Sequence, residues 1–165
     1  EADSLFSAGT PDEDTLFATT PFLQAVVKEA MRLYPSVPVL MRHARHDFDI
    51  AGHHVRRGQQ IMVATCVSQL SDDYFPNPTT FDPHRFIGPD RMDVPSGALA
   101  PFGRGHHLCM GKRIAEVLIP LTVARVVHQK EFGLVDTAYR LKNRFSYGVE
   151  LAADLQLVAG SSRIA

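Results

Sequence analysis

The residues best suited to chemistry form one glycine-rich run, Phe102-Gly103-Arg104-Gly105-His106-His107-Leu108-Cys109-Met110-Gly111. Cys109 stands at the end of this run, just before an apolar segment with helical spacing. A helix N-terminus presents free N–H groups and a positive dipole end, and both favour the thiolate, the form of cysteine that binds metals. Gly105 and Gly111 carry no side chain, so a flat cofactor can approach the backbone, and Phe102 offers an aromatic wall beside the sulfur. The run therefore predicts a metal-binding thiolate at position 109.

Two plainer interpretations compete with this one. A free cysteine is most often a small buried hydrophobe, which is the role expected of Cys66 in its apolar stretch. A zinc site built from His106, His107 and Cys109 is the other, but adjacent histidines point apart and structural zinc usually has paired ligands in both halves of the site.

The run resembles the haem-binding signature of cytochromes P-450, Phe-x-x-Gly-x-Arg/His-x-Cys-x-Gly, and matches it at every specified position. Glu116, seven residues after the cysteine, also fits the family. The resemblance implies that Cys109 ligates the iron of haem b and that His107 reaches a haem propionate. It implies a cofactor-binding loop that also includes Phe102, Gly103, Gly105 and Gly111.

Two further segments resemble the same family in the expected order. Glu29-Ala30-Met31-Arg32 is a Glu-x-x-Arg motif, and residues three apart share one helix face. Phe81-Asp82-Pro83-His84-Arg85-Phe86 resembles the family's Phe-x-Pro-x-Arg-Phe segment. The resemblance implies that Glu29, Arg32 and Arg85 form a buried ionic network that is scaffold, not catalyst.

The resemblance also suggests residues that face cofactor or substrate. Arg42 looks like the arginine that pairs with a haem propionate. Residues 36–41 and 141–148 resemble substrate-contact loops, with Val39 and Phe145 as candidate contacts and ordinary core packing as the alternative. The Leu40-Met41-Arg42 run and residues 143–151 resemble sterol 14α-demethylases, without defining a substrate.

The elements that position these residues can be predicted from local patterns. Apolar residues at helical spacing predict a helix over 21–33, with Thr20 as its cap, Pro21 at its first position and Pro35 beyond its end. Short strands are expected within 37–64, with a turn at Ala51-Gly52, followed by a short helix near 65–70.

The rest of the chain divides into a long irregular stretch, a helix and a tail. Residues 71–108 are rich in Pro, Gly and Asp, and so long an irregular segment usually serves a function. A helix is expected over 110–129, kinked at Pro120, with an apolar stripe of Ile114, Val117, Leu118, Leu121 and Ala124. Alternation in 132–160, at Val149, Leu151, Leu155 and Leu157, suggests β-hairpins.

The resulting fold class is α+β and mainly helical. It corresponds to the C-terminal part of the cytochrome P-450 fold: K helix, small β-sheets, meander, Cys loop, L helix and terminal β-hairpins. Residues 1–20 are interpreted as a lead-in or linker and residues 21–165 as the haem-ligating part. The family's N-terminal helices and I helix have no counterpart here, which suggests a complementary polypeptide that supplies the distal half.

The charge balance of the chain indicates which classes of partner are not expected. The chain has 165 residues, with 17 Lys and Arg against 18 Asp and Glu, so its charge favours neither nucleic acid nor an anionic membrane surface. Two cysteines do not make a disulfide framework, and a reducing, cytoplasmic location is expected.

The resemblance implies a monooxygenase acting on a small organic substrate, with electrons from a ferredoxin or reductase. Arg104, Lys112 and Arg113 could form the basic docking footprint of that electron-transfer partner, or a generic solvated patch. A peroxygenase or peroxide isomerase of the same fold is one alternative. A non-enzymatic haem-binding assembly subunit is another.

Overall fold

A computed structural model describes residues 1–139 and 156–162 of the chain. The helices in these residues are α1 (Ala2–Leu5), α2 (Glu13–Thr19), α3 (Pro21–Leu33), α4 (Thr65–Gln69) and α5 (Lys112–Gln129). The strands are β1 (Leu40–His43), β2 (Phe48–Ile50), β3 (His53–Val55), β4 (Gln60–Val63), β5 (Lys130–Leu134) and β6 (Leu157–Ser162). Short 3-10 helices span Pro83–Phe86 and Gly105–His107. The α+β architecture with helices and small sheets is the one predicted.

Helix α3 has the predicted bounds, but its cap is different. Thr20 was expected to cap it, yet the Thr20 hydroxyl donates to the Leu16 carbonyl at 2.6 Å and is fully buried. The carboxylate of Glu1 instead accepts from the N–H groups of Phe22 and Leu23 at 2.9 and 2.8 Å. An acidic group suits the positive end of the helix dipole. The prediction failed because the capping group comes from 21 residues away.

Residues 1–19 are docked onto the fold and are not a loose linker. Leu5 and Leu16 bury their side chains against Ala124 of α5. Asp3 pairs with His128 at 2.7 Å, and Glu13 pairs with Arg113, so the segment contacts both ends of α5. The polar, Gly- and Pro-rich composition that suggested a linker belongs largely to the connection between α1 and α2 and to exposed helix positions.

Asp12 defines the start of α2. Its carboxylate accepts from the Thr15 N–H at 2.8 Å, the arrangement of an N-cap. Hydrogen bonds from the side chain and backbone of Thr15 lower the pKa of Asp12.

The sheets are antiparallel pairs. Strand β1 pairs with β4, so that Leu40 faces Val63 and Arg42 faces Ile61. Strands β2 and β3 form a hairpin whose turn is Ala51-Gly52, as predicted, with both residues at positive φ, 49° and 80°. Such values are typical of a two-residue type I′ turn. Strands β5 and β6 pair near the C-terminus, while Val149, Leu151 and Leu155, which were assigned to hairpins, lie outside the described residues.

Helix α5 runs without a break through Pro120, and its apolar residues are distributed around its whole circumference. Of the predicted stripe, Val117, Leu121 and Ala124 pack against the N-terminal segment. Ile114 and Leu118 are 63% and 54% exposed, so they do not join this core. A helix that is apolar on all sides is normally covered on all sides. In the residues that the structure describes, no helix is both long and apolar enough to cross a bilayer.

Candidate functional site

Cys109 lies three residues before the first residue of α5, at the end of a tightly bonded loop. Its N–H donates to the Phe102 carbonyl at 2.9 Å, and its carbonyl accepts from the Lys112 N–H at 3.2 Å. The Leu108 N–H donates to the Gly105 carbonyl at 3.1 Å. These bonds close the loop on itself and hold the sulfur at the helix entrance, with the residue exposed.

Two of the loop glycines have conformations that favour glycine. Gly103 and Gly105 have φ of 71° and 63°, in the left-handed region. A methyl group at Gly103 would also lie 3.2 Å from the His107 carbonyl oxygen and 3.7 Å from Leu40 Cδ1. A methyl group at Gly111 would lie 3.7 Å from the Cys109 sulfur, which is ordinary contact. The loop geometry therefore depends on Gly103 and Gly105, while Gly111 leaves open space beside the sulfur.

The donor set at Cys109 fits haem better than a bare metal ion. Among the described residues, no group of three or more His, Cys, Asp or Glu side chains could hold a metal, so His106, His107 and Cys109 do not assemble a zinc site. Haem iron needs only an axial ligand from the protein because the porphyrin supplies the other donors. Cys109 offers an exposed thiol beside a glycine, whereas Cys66 is buried and offers none. The residues present therefore fit a haem group with Cys109 as its ligand.

Glu29, Arg32 and Arg85 meet in the interior, between α3 and the 3-10 helix Pro83–Phe86. The Glu29 carboxylate accepts two hydrogen bonds from Arg32, at 2.7 and 2.8 Å, and one from Arg85 Nε at 3.3 Å. It also accepts from the Asp82 N–H at 2.9 Å. Glu29 and Arg32 are fully buried, and Arg85 nearly so. A buried carboxylate satisfied in this way ties α3 to the segment that precedes the Cys loop.

Gln69 is a fourth member of this network that sequence reasoning missed. It is fully buried, its carbonyl accepts from Arg32 Nη1 at 2.6 Å, and its side-chain amide donates to the Arg32 carbonyl at 3.0 Å. No local signal marks Gln69 in the sequence, because α4 also contains the polar residues Thr65 and Ser68.

The other predicted site residues are spread over neighbouring elements. Arg42 is half-buried on β1 and donates to the carbonyl of Met41 at 2.8 Å. Val39 is half-buried just before β1, and His107 is exposed on the 3-10 helix of the loop. Leu40, at the start of β1, packs near Gly103, which brings this strand beside the loop. Phe145 lies outside the described residues.

A cavity of about 680 Å³, here called the loop cleft, opens between α3, the Cys loop and α5. Phe102, Gly105 and Leu108 line one wall, and the segment 94–101 lines another. Three cations, Lys28, Arg104 and Lys112, and one carboxylate, Glu116, also line it.

Of the three basic residues predicted to form a docking footprint, Arg104 and Lys112 line the loop cleft and Arg113 does not. Arg104 donates to the Ser96 hydroxyl at 2.6 Å, and Lys112 lies 3.6 Å from the Glu116 carboxylate. Arg113 does not line the cleft: it pairs with Glu13 and stacks on Phe17. Lys28, which was not predicted, stands 4.4 Å from the centroid of the Phe86 ring. Partial burial and the positive charge of Arg91 lower the pKa of Lys28.

The glycine loop, the exposed thiol at a helix entrance and the buried ionic network define a haem-thiolate class of protein. The sequence model described as cytochrome P-450 matches residues 1–146 of the chain. The chain belongs to the cytochrome P-450 family.

Relatives and solved structures agree with this assignment. The chain is 30% identical over 147 residues to a sterol 14α-demethylase of Mycolicibacterium vanbaalenii, which covers 88% of this chain and 32% of that protein. It is 32% identical over 122 residues to the thromboxane-A synthase of Rattus norvegicus, covering 74% of this chain and 23% of that enzyme. A retinoic acid-bound cyanobacterial CYP120A1 superposes with a TM-score of 0.85 at 27% identity, over 98% of this chain and 37% of that one.

The chain spans about a third or less of the curated relatives it matches. Members of the family are haem-iron oxidoreductases, so haem is the cofactor that this membership implies.

Proposed function

We propose that this chain is the haem-ligating part of a cytochrome P-450 monooxygenase that inserts an oxygen atom from dioxygen into a small organic substrate. The observation that carries the proposal is the exposed Cys109 thiol at the entrance of α5, in a loop bonded to itself and built on left-handed glycines. Thiolate-ligated haem supplies the oxygen chemistry, because the thiolate pushes electron density to the iron and favours O–O cleavage.

The residues of this chain hold and orient that cofactor. Cys109 would provide the sulfur ligand of the haem, from the loop that leads into α5. Arg42 on β1 and His107 on the loop are suited to hydrogen-bond the propionates, because N–H donors that face carboxylates form oriented hydrogen bonds, strongest from the arginine. The network of Glu29, Arg32 and Arg85 keeps the preceding segment in place and takes no part in the reaction.

Electrons are proposed to come from a ferredoxin or reductase that docks beside the Cys loop. Arg104 and Lys112 support this proposal because both line the loop cleft and lie beside the Cys loop in the chain. Lys28 joins them from α3, whereas Arg113 is engaged by Glu13. A positively charged surface of this kind favours an acidic partner through electrostatic steering.

The distal half of the haem pocket is proposed to come from a complementary segment. The support is the apolar surface of α5, where Ile114 and Leu118 are exposed, and the fraction of its relatives that the chain spans. The intact mass of the protein purified from its native source, together with whatever co-purifies, distinguishes a separate subunit from a longer polypeptide.

The deciding experiment compares two cysteine substitutions in the haem-loaded protein. Cys109→Ala should abolish the thiolate-haem Soret band of the reduced, carbon monoxide-bound form. Cys66→Ala is the matched control: it removes a buried thiol that lies away from the loop and should leave the band in place. A normal band in the Cys109→Ala protein would refute the ligand assignment.

Turnover then separates monooxygenase from peroxygenase chemistry. A monooxygenase should turn over substrate with dioxygen and an electron donor. Turnover with peroxide alone, and none with donor and dioxygen, would favour a peroxygenase. Spectral haem binding without turnover under either condition would favour an assembly subunit.

A further inference from the structure

The loop cleft has the size and composition of a small-molecule site, and Cys109, His107 and Arg42 do not line it. Its volume of about 680 Å³ lies within the range of about 300–1,000 Å³ that ligand cavities occupy. Apolar side chains from three elements line its interior: Val27 and Met31 of α3, Leu99 and Leu108 of the loop region, and Pro120 of α5.

The charged groups of the cleft have one sign in excess. The cleft is lined by three cations, Lys28, Arg104 and Lys112, and by one carboxylate, Glu116, which gives a net of two positive charges (3 − 1). Lys112 is already paired with Glu116, whereas no acidic group among the described residues lies within salt-bridge distance of Lys28. Arg104 is anchored by the Ser96 hydroxyl, which holds its guanidinium at the wall formed by 94–97.

The apolar lining, together with two cations, Lys28 and Arg104, that have no acidic partner among the described residues, selects one chemical class of ligand. We propose that the loop cleft binds an apolar anion, a carboxylate on a hydrocarbon tail, with its head between Lys28 and Arg104. The tail would then cover Met31 and Leu108, whose burial provides the binding energy that a small hydrophilic anion lacks. A neutral alcohol or a cationic amine of equal length makes the same apolar contacts but does not pair with Lys28 and Arg104.

A ligand bound in the cleft should change the environment of the Cys109 sulfur. Gly105 and Leu108 line the cleft, and their backbone groups bond each other directly before Cys109. Phe102, which also lines the cleft, accepts the hydrogen bond of the Cys109 N–H. A ligand in the cleft therefore touches both ends of the loop that positions the sulfur.

The test measures dodecanoate binding to the haem-loaded protein by equilibrium dialysis, with a saturating iron-coordinating azole present. The azole occupies the open side of the haem, so binding that persists reports a second site. We expect saturable binding, at least tenfold weaker for dodecanol and dodecylamine, and a small shift of the Soret band on addition of dodecanoate.

Variants assign the binding to the cleft. Lys28→Gln combined with Arg104→Gln should weaken dodecanoate binding at least tenfold, while Lys28→Arg should keep it. Arg57→Gln, an exposed arginine in the loop between β3 and β4, is the control and should bind as the wild type does. Circular dichroism checks that the variants fold, which is expected because neither Lys28 nor Arg104 belongs to the buried ionic network.

Several outcomes would overturn the proposal. They are the absence of saturable binding in the presence of azole, equal binding of dodecylamine, or unchanged binding in the double variant. If an acidic electron-donor protein binds through Lys28 and Arg104 and dodecanoate does not bind, these cations serve protein docking alone. Because binding is measured directly, this result is independent of whether the protein proves to be a monooxygenase.

Discussion

Glu29 is a fully buried carboxylate that accepts hydrogen bonds from two arginines and a backbone N–H. Glu29→Gln keeps the shape but removes the charge, and leaves Arg32 and Arg85 without their counter-ion. We expect a loss of about 3–5 kcal/mol in the free energy of unfolding, because breaking a buried ion pair strands its partner. Chemical denaturation of the apoprotein measures it.

Glu116→Gln is the matched control for this substitution. Its partner Lys112 is partly exposed, and such pairs contribute only about 0–1 kcal/mol. Equal losses in the two variants would contradict the role of Glu29 as the centre of the network.

The loop glycines serve two different purposes. Gly103 allows the backbone conformation of the loop, and Gly111 leaves space beside the Cys109 sulfur. Gly103→Ala places a methyl group at positive φ and 3.2 Å from the His107 carbonyl, so the apoprotein should lose about 1–2 kcal/mol of stability. Gly111→Ala makes only ordinary contact with the Cys109 sulfur and should leave the apoprotein nearly unchanged. Thermal unfolding of both apo variants checks this, and a greater loss for Gly111→Ala would contradict it.

The N-terminal helices α1 and α2 pack against α5 and stabilise it. Leu16 of α2 is 1% exposed and lies with Leu5 against Ala124. Leu16→Ala should therefore destabilise the protein by about 2–5 kcal/mol, the usual result of opening a cavity in a core. Leu118→Ala on the exposed side of α5 is the control, with an expected change within about 0.5 kcal/mol. Equal, small effects measured by urea unfolding would indicate that residues 1–19 do not dock.

At the scale of the whole molecule, the surface of α5 determines how these 165 residues behave alone. Apolar residues remain exposed along its length, among them Ile114, Leu118 and Val126. Exposed patches of this kind mark an interface or cause aggregation. The 165-residue protein should self-associate with rising concentration in analytical ultracentrifugation and bind a hydrophobic dye.

Covering that surface should reverse the effect. Co-expression with the rest of a cytochrome P-450 fold should suppress both self-association and dye binding, because the complementary segment is proposed to pack on α5. A charged substitution at two exposed positions, Ile114→Glu with Leu118→Glu, should suppress self-association without it. A strictly monomeric wild-type protein that binds no dye would contradict the prediction.

The sequence by itself determined the features that depend on neighbouring residues. Helix α3, the Ala51-Gly52 hairpin turn and the run ending at Cys109 could be predicted, because helical period, turn chemistry and a short signature are local properties. The resemblance to the family added Arg85 as a partner of Glu29, which no local pattern contains.

Tertiary structure decided whatever depends on groups far apart in the chain. Glu1 replaces Thr20 as the acceptor at the start of α3, Gln69 joins the buried network, and Lys28 takes the place of Arg113 beside the loop. Each of these outcomes depends on which side chain lies close enough to a free N–H, a buried charge or a cavity in the folded chain. The packing of the elements decides each case, because residues about 20 to 80 positions apart meet only once the chain is folded.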